Sequence, residues 1–266
     1  MKNVVLTFHN VTDSTWFEKT IRILSKFYSF GSLDNLYERL NKNNQCKMPT
    51  EMCYITFDDG ERTVYENVYP IIKKYNIPIA LFVSPYIVKN GGSFWFQRLR
   101  QIDDSKVELM KVHSLAEINR QIDKMDADGQ TNVDSNINLK MFNEMLNSGL
   151  VSFGAHTQHH PILRNENDEI SKREIEQSII ELKQLTHKNV DYFAYPNGSK
   201  NDYSLREIDF LRRSGIKMAF TTNYGSADNK DMYQINRIGI TNGNTLHILL
   251  KVMCPHLFFF IKRLIK

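Results

Sequence analysis

Short apolar runs alternate with amphipathic helical patterns along most of the chain. Apolar residues spaced about 3.6 apart predict helices, and brief apolar runs bounded by turn residues predict buried strands. Their alternation predicts an α/β fold with a parallel sheet. Predicted strands cover residues 3–8, 52–57, 77–83, 151–155, 191–195, 216–221 and 233–240. Predicted helices cover residues 14–28, 63–75, 170–185 and 202–214.

Residues 94–149 depart from this alternation because they are polar and helical. Ser114 and Glu117 have the spacing of a capping box, which marks the start of a helix. We therefore predict a helical insertion within one domain that spans residues 1–245. A single domain of this size is ordinary for an α/β barrel, which commonly holds ~200–250 residues.

Composition excludes several classes of protein. The 34 basic and 30 acidic residues leave a net charge of only +4, and no basic cluster accompanies a groove-reading or base-stacking motif. We therefore expect no nucleic-acid partner. Cys46, Cys53 and Cys254 show no C-x-x-C spacing, and the first apolar run is shorter than the ~7–15 residues of a secretory signal core. These features favour a reducing compartment and predict a cytoplasmic protein.

The C-terminal tail, residues 246–266, mixes apolar and basic side chains. Lys251 and Pro255 interrupt its apolar run, which is too short to span a bilayer. A basic apolar segment can lie in a membrane interface, so peripheral contact with the cytoplasmic face of a membrane is one expectation. Packing against the protein's own barrel is the alternative.

Distinctive polar residues follow four of the predicted strands. His9 follows the first, Asp58 and Asp59 the second, and His156 and His160 a later one, while residues 195–198 follow another. The carboxyl ends of parallel strands lie together at one face of such folds, so these side chains are expected to converge.

One carboxylate and two imidazoles with an open position form the usual layout of catalytic zinc. The other of the two adjacent aspartates is then free to accept a proton from the attacking water. The same ligand types also occur in non-haem Fe(II) oxygenases, so ligand type alone leaves the metal open.

Two motifs carry a resemblance to a known family. Residues 56–60 (Thr-Phe-Asp-Asp-Gly) and 156–161 (His-Thr-x-x-His-Pro) resemble the first two signature motifs of the polysaccharide deacetylases, carbohydrate esterase family four. The likeness extends from Val4 to about Ile240. It implies a distorted (β/α)7 barrel and metal-dependent removal of N- or O-acetyl groups, most often from N-acetylhexosamine in a glycan.

The resemblance also implies roles for individual residues. Asp58 would be the general base, and Asp59, His156 and His160 would bind a divalent metal, with Zn²⁺ the expected ion. His159 would be a neighbour of the ligands without binding the metal.

The third motif of the family matches residues 194–198 imperfectly, because Ala194 stands at its arginine position and Asn197 at its tyrosine position. The family uses the backbone N–H of the tyrosine position to hold the oxyanion. Asn197 can still supply that donor, since it does not depend on the side chain. For the missing arginine, which orients the base, we hypothesise that Arg237 takes over by pairing with Asp58.

The first strand supplies the remaining catalytic candidate. Residues 6–11 resemble the opening strand of a permuted subgroup that acts in exopolysaccharide synthesis, where the N-terminal histidine is the acid. His9 is therefore assigned to protonate the departing amine, although a structural histidine at a strand end is as compatible with the residues themselves.

We therefore expect a metal-dependent glycan deacetylase, a hydrolase of non-peptide C–N bonds with a glycan as its partner. Residues 94–96 and Tyr195 are candidates for a sugar-stacking wall, or they anchor the insertion. Two alternatives remain: an inactive carbohydrate-binding relative, and a metal-dependent amidohydrolase of small amides or imides.

Overall fold

The computed structural model describes residues 3–41, 51–131, 133–227 and 231–253. Cys46 and Cys254 therefore lie outside the described residues. Eight parallel strands form one sheet. They are β1 (Val4–Phe8), β2 (Ser29–Gly31), β3 (Met52–Phe57), β4 (Ile79–Val83), β5 (Val151–Ala155), β6 (Tyr192–Ala194), β7 (Met218–Phe220) and β8 (Ile238–Gly239).

Helices surround this sheet. They are α1 (Ser14–Leu24), α2 (Leu33–Asn41), α3 (Tyr69–Tyr75), α4 (Pro85–Asn90), α5 (Trp95–Asp103), α6 (Val107–Met110), α7 (Leu115–Met125), α8 (Leu139–Asn147), α9 (Asp168–Thr186), α10 (Leu205–Arg213) and α11 (Thr245–Met253). None of these described helices is long and apolar enough to cross a membrane.

The sheet curls into a distorted barrel. Its order is β7-β6-β5-β4-β3-β1-β8, with the short β2 beside the start of β3. The segment 235–239 contacts strands on both sides of the gap in the curled sheet. Ile235 bridges to Phe220 of β7, and Ile238 pairs with Leu6 of β1. The predicted α/β class and distorted (β/α)7 barrel are confirmed, with seven strands around the curl and β2 as an addition.

Alternate residues of each strand face opposite sides, as the pleat requires. On β4, for example, Ile79 and Leu81 pack under the surrounding helices, while Ala80 and Phe82 belong to a second cluster that fills the barrel interior. Both faces of the sheet are therefore covered. This explains why its strands are almost continuously apolar in sequence.

Two predicted elements differ in detail from the structure. The predicted helix over 63–75 begins with a π-helix, Val64–Val68, because Pro70 has no N–H to donate and Tyr69 N–H bonds instead to the Val64 carbonyl. The predicted strand over 233–240 shortens to β8. The backbone N–H groups of its remaining residues bond to different partners, as with Arg237, which donates to Asn223 O at 3.0 Å.

The region between β4 and β5 is helical, as predicted, and has an apolar cluster of its own. Leu99, Ile118 and Ile122 are fully buried in this cluster. The insertion therefore packs as a small helical layer beside the barrel. How the chain divides into the domain 1–245 and the tail 246–266 stays a prediction.

The start of the predicted tail packs on the barrel. Ile248 and Val252 of α11 are buried in the main apolar cluster, and Tyr224 donates to the Lys251 carbonyl at 2.5 Å. This part of the tail therefore packs against the protein's own barrel, which was the alternative to membrane contact. Residues 254–266, which carry the rest of the tail, lie outside the described residues.

A buried carboxylate joins α9 to α10, and it makes stability depend on pH. Glu207 accepts hydrogen bonds from the Ser204 backbone N–H (2.8 Å), Ser171 Oγ (2.6 Å) and Arg206 Nε (2.7 Å). Burial opposes its ionisation, but these donors outweigh burial and lower the pKa of Glu207. A lowered pKa adds stability above the unfolded-state pKa of about 4.3, and this stability is lost as pH falls through the folded-state pKa.

We predict that Glu207→Gln lowers the free energy of unfolding at pH 7 by about 1–3 kcal/mol, because the donors lose a charged acceptor. Urea unfolding of the variant and of the wild type should give a difference that is full at pH 7 and shrinks in acid below about pH 4. A difference that does not change with pH would show that ionised Glu207 is not its source.

Candidate metal and catalytic site

Three predicted metal-binding side chains come together at the carboxyl ends of β3 and β5. His156 Nε2 and His160 Nε2 each lie 3.4 Å from Asp59 Oδ1, and the three ligand atoms are all within 4.8 Å of one another. All three side chains are buried. Two ligand atoms about 2.0–2.1 Å from a tetrahedral zinc are separated by roughly 3.4 Å, so this spacing suits a shared cation.

The hydrogen bonding of the three side chains also fits a cation. Asp59 Oδ1 and His160 Nδ1 are buried and have no hydrogen-bond partner among the described residues. A carboxylate oxygen buried without a partner is costly, and a metal ion would remove that cost. His156 Nδ1 donates to the Ala194 carbonyl at 2.7 Å, which turns its Nε2 toward Asp59. Asp59, His156 and His160 therefore fit a divalent metal.

The protonation tendencies of two of these groups suit metal binding. Burial lowers the pKa of His160 to about 3, so its imidazole is neutral near pH 7. Burial opposes ionisation of Asp59, but its contact with His156 outweighs burial and lowers the pKa of Asp59. Metal ligation requires a neutral imidazole and an ionised carboxylate.

Local backbone geometry points the side chains of the two adjacent aspartates in different directions. Along β3, inward residues alternate with outward ones, and Asp58 continues the inward series toward the barrel axis. Asp59 then takes φ 70° and Gly60 φ 75°, which turns the chain sharply and aims the second carboxylate at the histidines. Gly60 is needed there because that φ suits glycine and a Cβ would lie 3.1 Å from Val83 Cγ1.

Arg237 contacts Asp58 inside the barrel, as hypothesised from the sequence. Nη1 donates to Oδ1 at 2.7 Å and Nη2 to Oδ2 at 2.6 Å, a two-pronged ion pair in which both side chains are buried. Arg237 Nε also donates to the Thr221 carbonyl at 2.8 Å. Burial opposes ionisation of Asp58, but the charge and hydrogen bonds of Arg237 outweigh it and lower the pKa of Asp58.

His9 stands at the mouth of the site. Its side chain is 52% exposed, and Nε2 lies 3.9 Å from Asp58 Oδ2, beyond hydrogen-bond distance. The structure therefore places His9 next to the proposed base with its imidazole open to solvent.

Asn197, after β6, lines the same cavity and has φ 54°. No described residue accepts a hydrogen bond from its backbone N–H. The turn is fixed by Thr222 Oγ1, which donates to the Asn197 carbonyl at 2.7 Å. Gly198 is required next because its φ is 71° and a Cβ would lie 3.0 Å from Thr222 N.

The catalytic cavity is small, about 70 Å³, and the helical insertion forms part of its wall. Phe96, Arg100, Val107 and Lys111 reach it from α5, α6 and the following turn. Sequence reasoning missed Arg100 and Lys111. Nothing in their local pattern distinguishes them from ordinary surface cations, since their position depends on how the insertion packs.

For the aromatic residues considered for a sugar-stacking wall, burial favours the anchoring alternative. Tyr195 is fully buried and stacks on Tyr203, with ring centroids 3.9 Å apart. Trp95 is also buried, and its Nε1 donates to the His160 carbonyl at 2.9 Å, so it anchors the insertion to the metal-binding loop. Of these aromatic residues, Phe94 is buried as well, and Phe96 lines the catalytic cavity.

The chain belongs to the polysaccharide deacetylase family, whose model matches residues 45–219. It is 26% identical over 216 residues to poly-β-1,6-N-acetyl-D-glucosamine N-deacetylase of Staphylococcus epidermidis, covering 78% of this chain and 61% of that protein. The protein of the same name from Staphylococcus aureus is 28% identical over 223 residues, covering 80% and 63% respectively. This chain thus spans about three fifths of the length of these relatives.

Two solved structures show the same fold. IcaB from Ammonifex degensii has a TM-score of 0.70 at 20% identity, with 93% of this chain and 95% of that chain covered. The Streptococcus pyogenes deacetylase PplD has a TM-score of 0.68 at 22% identity, with 94% and 97% covered.

The Asp58–Arg237 pair leads to a stability prediction. Arg237→Met leaves a buried carboxylate without its counterion, and we expect a loss of about 3–5 kcal/mol in the free energy of unfolding. Adding Asp58→Asn should recover a large part of that loss, because no buried charge then remains. Chemical denaturation of both single variants and the double variant measures the coupling, and strictly additive losses would contradict it.

Proposed function

We propose that this chain is a metal-dependent deacetylase that hydrolyses the N-acetyl groups of N-acetylhexosamine residues in a glycan. The observation that carries the proposal is the buried triad Asp59, His156 and His160 beside an ionised acid, Asp58, that takes no part in the triad. Family membership supports the reaction class. The names of the relatives support poly-β-1,6-N-acetyl-D-glucosamine as the first substrate to try.

Zinc is the proposed metal, because two imidazoles and one carboxylate with an open position are typical of catalytic zinc sites. The chemistry that a divalent cation supplies in such a site is Lewis-acid activation of water and of the acetyl carbonyl.

The residues of this chain account for the proton transfers. Asp58, held ionised by Arg237, accepts a proton from the attacking water. Asn197 N–H donates to the oxygen of the acetyl carbonyl as it gains negative charge. His9, at the open side of the cavity, delivers a proton to the departing nitrogen as the C–N bond breaks. The products are acetate and a free amine on the sugar.

The ion pair also explains how a chain with Ala194 at the motif's arginine position can keep an oriented base. Arg237 is separated from Asp58 by 179 positions in the sequence, and it binds the Asp58 carboxylate through both of its terminal nitrogens. The presence of this pair, together with the complete triad, argues against an inactive carbohydrate-binding relative.

Contact of the tail with the cytoplasmic face of a membrane remains a further part of the proposal, and residues 254–266 are the segment to test. Co-sedimentation of the protein with anionic vesicles, with and without residues 254–266, tests this contact.

The direct test is acetate release from a panel of N-acetylated glycans, including β-1,6-linked N-acetylglucosamine oligomers, with and without added zinc. We expect activity that requires the metal. Asp58→Asn should lower kcat by about 10²–10⁴ while the bound zinc remains, because the base is lost and the three metal ligands are unchanged. Since this variant also leaves the buried Arg237 without its counterion, its circular-dichroism spectrum is compared with that of the wild type to show that it is folded. Asp209→Asn, on the exposed face of α10, is the matched control and should behave like the wild type. No release from any glycan would contradict the proposed function.

A second test isolates His9. If His9 protonates the leaving amine, His9→Ala should lower kcat on the N-acetyl substrate by about 10²–10⁴. The same variant should hydrolyse 4-nitrophenyl acetate at close to the wild-type rate, because that leaving group departs without a proton. Equal losses on both substrates would indicate a structural role instead.

A further inference from the structure

The loop that carries the second metal-binding histidine has an unusual backbone. Thr157 has φ 64° and His160 has φ 57°, and neither is glycine. Left-handed conformations are unfavourable for residues that carry a Cβ, so contacts from outside the loop must hold this geometry.

One of the contacts that hold the loop comes from a charged side chain, Glu174 of α9. Its side chain is buried, and its Oε2 accepts from the backbone N–H of Gln158 at 3.1 Å and of His159 at 2.9 Å. Its other oxygen, Oε1, contacts His159 Nδ1 at 2.7 Å. A single oxygen of Glu174 thus accepts from two successive backbone donors in the middle of the loop.

Other contacts complete the frame around the loop. Ser84 Oγ donates to the Gln158 carbonyl, Thr157 Oγ1 accepts from the His160 N–H at 3.1 Å, and Trp95 Nε1 donates to the His160 carbonyl. Of these partners, Glu174 comes from the helix that follows the loop in sequence. It acts on the residues immediately before His160.

The two histidine ligands are held in different ways. The imidazole of His156 is fixed through Nδ1 by the Ala194 carbonyl, whereas Nδ1 of His160 has no partner among the described residues. The orientation of the His160 ring therefore depends on its backbone and on packing against Phe96, whose ring centroid lies 4.8 Å away. Hydrogen bonds that hold the loop backbone therefore matter more for the orientation of the His160 ring than for that of the His156 ring.

We propose that Glu174 is a positioning residue for the metal ligand His160: by accepting the Gln158 and His159 N–H groups, it holds the loop so that His160 Nε2 faces Asp59. This inference rests on the proposed function, since it assumes that Asp59, His156 and His160 bind a cation. Glu174 does not line the catalytic cavity and has no part in proton transfer.

The proposed role requires that an acceptor oxygen of residue 174 reach the two backbone N–H groups. Two substitutions distinguish this requirement from a requirement for negative charge. In Glu174→Gln the amide oxygen can still accept both backbone N–H groups, and the amide N–H can donate to His159 Nδ1. In Glu174→Asp the charge stays, but the carboxylate is withdrawn by one methylene, about 1.5 Å. Glu176→Gln is the matched control, because Glu176 lies on the same helix and pairs only loosely with Lys172, at 3.8 Å.

The readout is metal affinity, measured on the full chain by competition for zinc with a chromophoric chelator. The absorption spectrum of the Co²⁺-substituted protein reports ligand geometry independently. Removal of groups that support metal ligands typically weakens affinity about 10–100-fold, and we expect a rise in Kd of that size for Glu174→Asp with an altered Co²⁺ spectrum. Glu174→Gln and Glu176→Gln should keep the wild-type Kd and spectrum.

Three results would overturn the proposal: Glu174→Asp binding zinc as tightly as wild type, Glu174→Gln weakening it as much as Glu174→Asp does, or a Glu174→Asp chain that does not fold without metal. The last outcome would mean that Glu174 supports the fold as a whole. A wild-type protein that binds no cation would instead contradict the proposed function itself.

Discussion

Asp58 and Arg237 form an ion pair in the barrel interior, where neither has access to bulk water. The pair can persist there because each terminal nitrogen of Arg237 meets one carboxylate oxygen of Asp58 and Nε bonds to the Thr221 carbonyl. Removal of either partner would leave a buried charge, which is far more costly than loss of a surface ion pair. The carboxylate of the proposed base, Asp58, is therefore held in a fixed position by the packed interior around it.

This pair also connects the chemistry with the closure of the sheet. Arg237 lies on the segment that bridges β7 through Ile235 and pairs with β1 through Ile238. The segment that completes the barrel thus also carries Arg237, the residue that holds the proposed base. The proposed metal ligands are supported from another direction, by the strand ends of β3 and β5, by α9 and by Trp95 of the insertion.

Local motifs and the parallel-strand rule were sufficient to predict much of the site from the sequence. Asp59, His156 and His160 follow segments that the sequence predicts as strands, and their convergence follows from the fold class. Pairing of Arg237 with Asp58 could be put forward only as a hypothesis, because 179 residues separate them and no local pattern links them.

Other features could not be predicted, for identifiable reasons. Tyr195 follows an inward-facing Ala194, so the pleat turns it outward beneath Tyr203, and it cannot line the cavity. The strand β2 has only three residues, too few to show a period. Glu174 has the sequence context of any acidic residue on an amphipathic helix, and only the packing of α9 against the loop reveals its contacts.

The position of β1 in the sheet has a consequence for how the protein is made. It lies between β3 and β8, so one of its two neighbours comes from nearly the opposite end of the described chain. Pairings between such distant segments form slowly, since a long loop must close before any contact compensates for the lost entropy. On the ribosome, the edge of β1 that pairs with β8 stays uncovered until residues 238–239 have emerged, and a chain interrupted before that point exposes a strand edge open to aggregation.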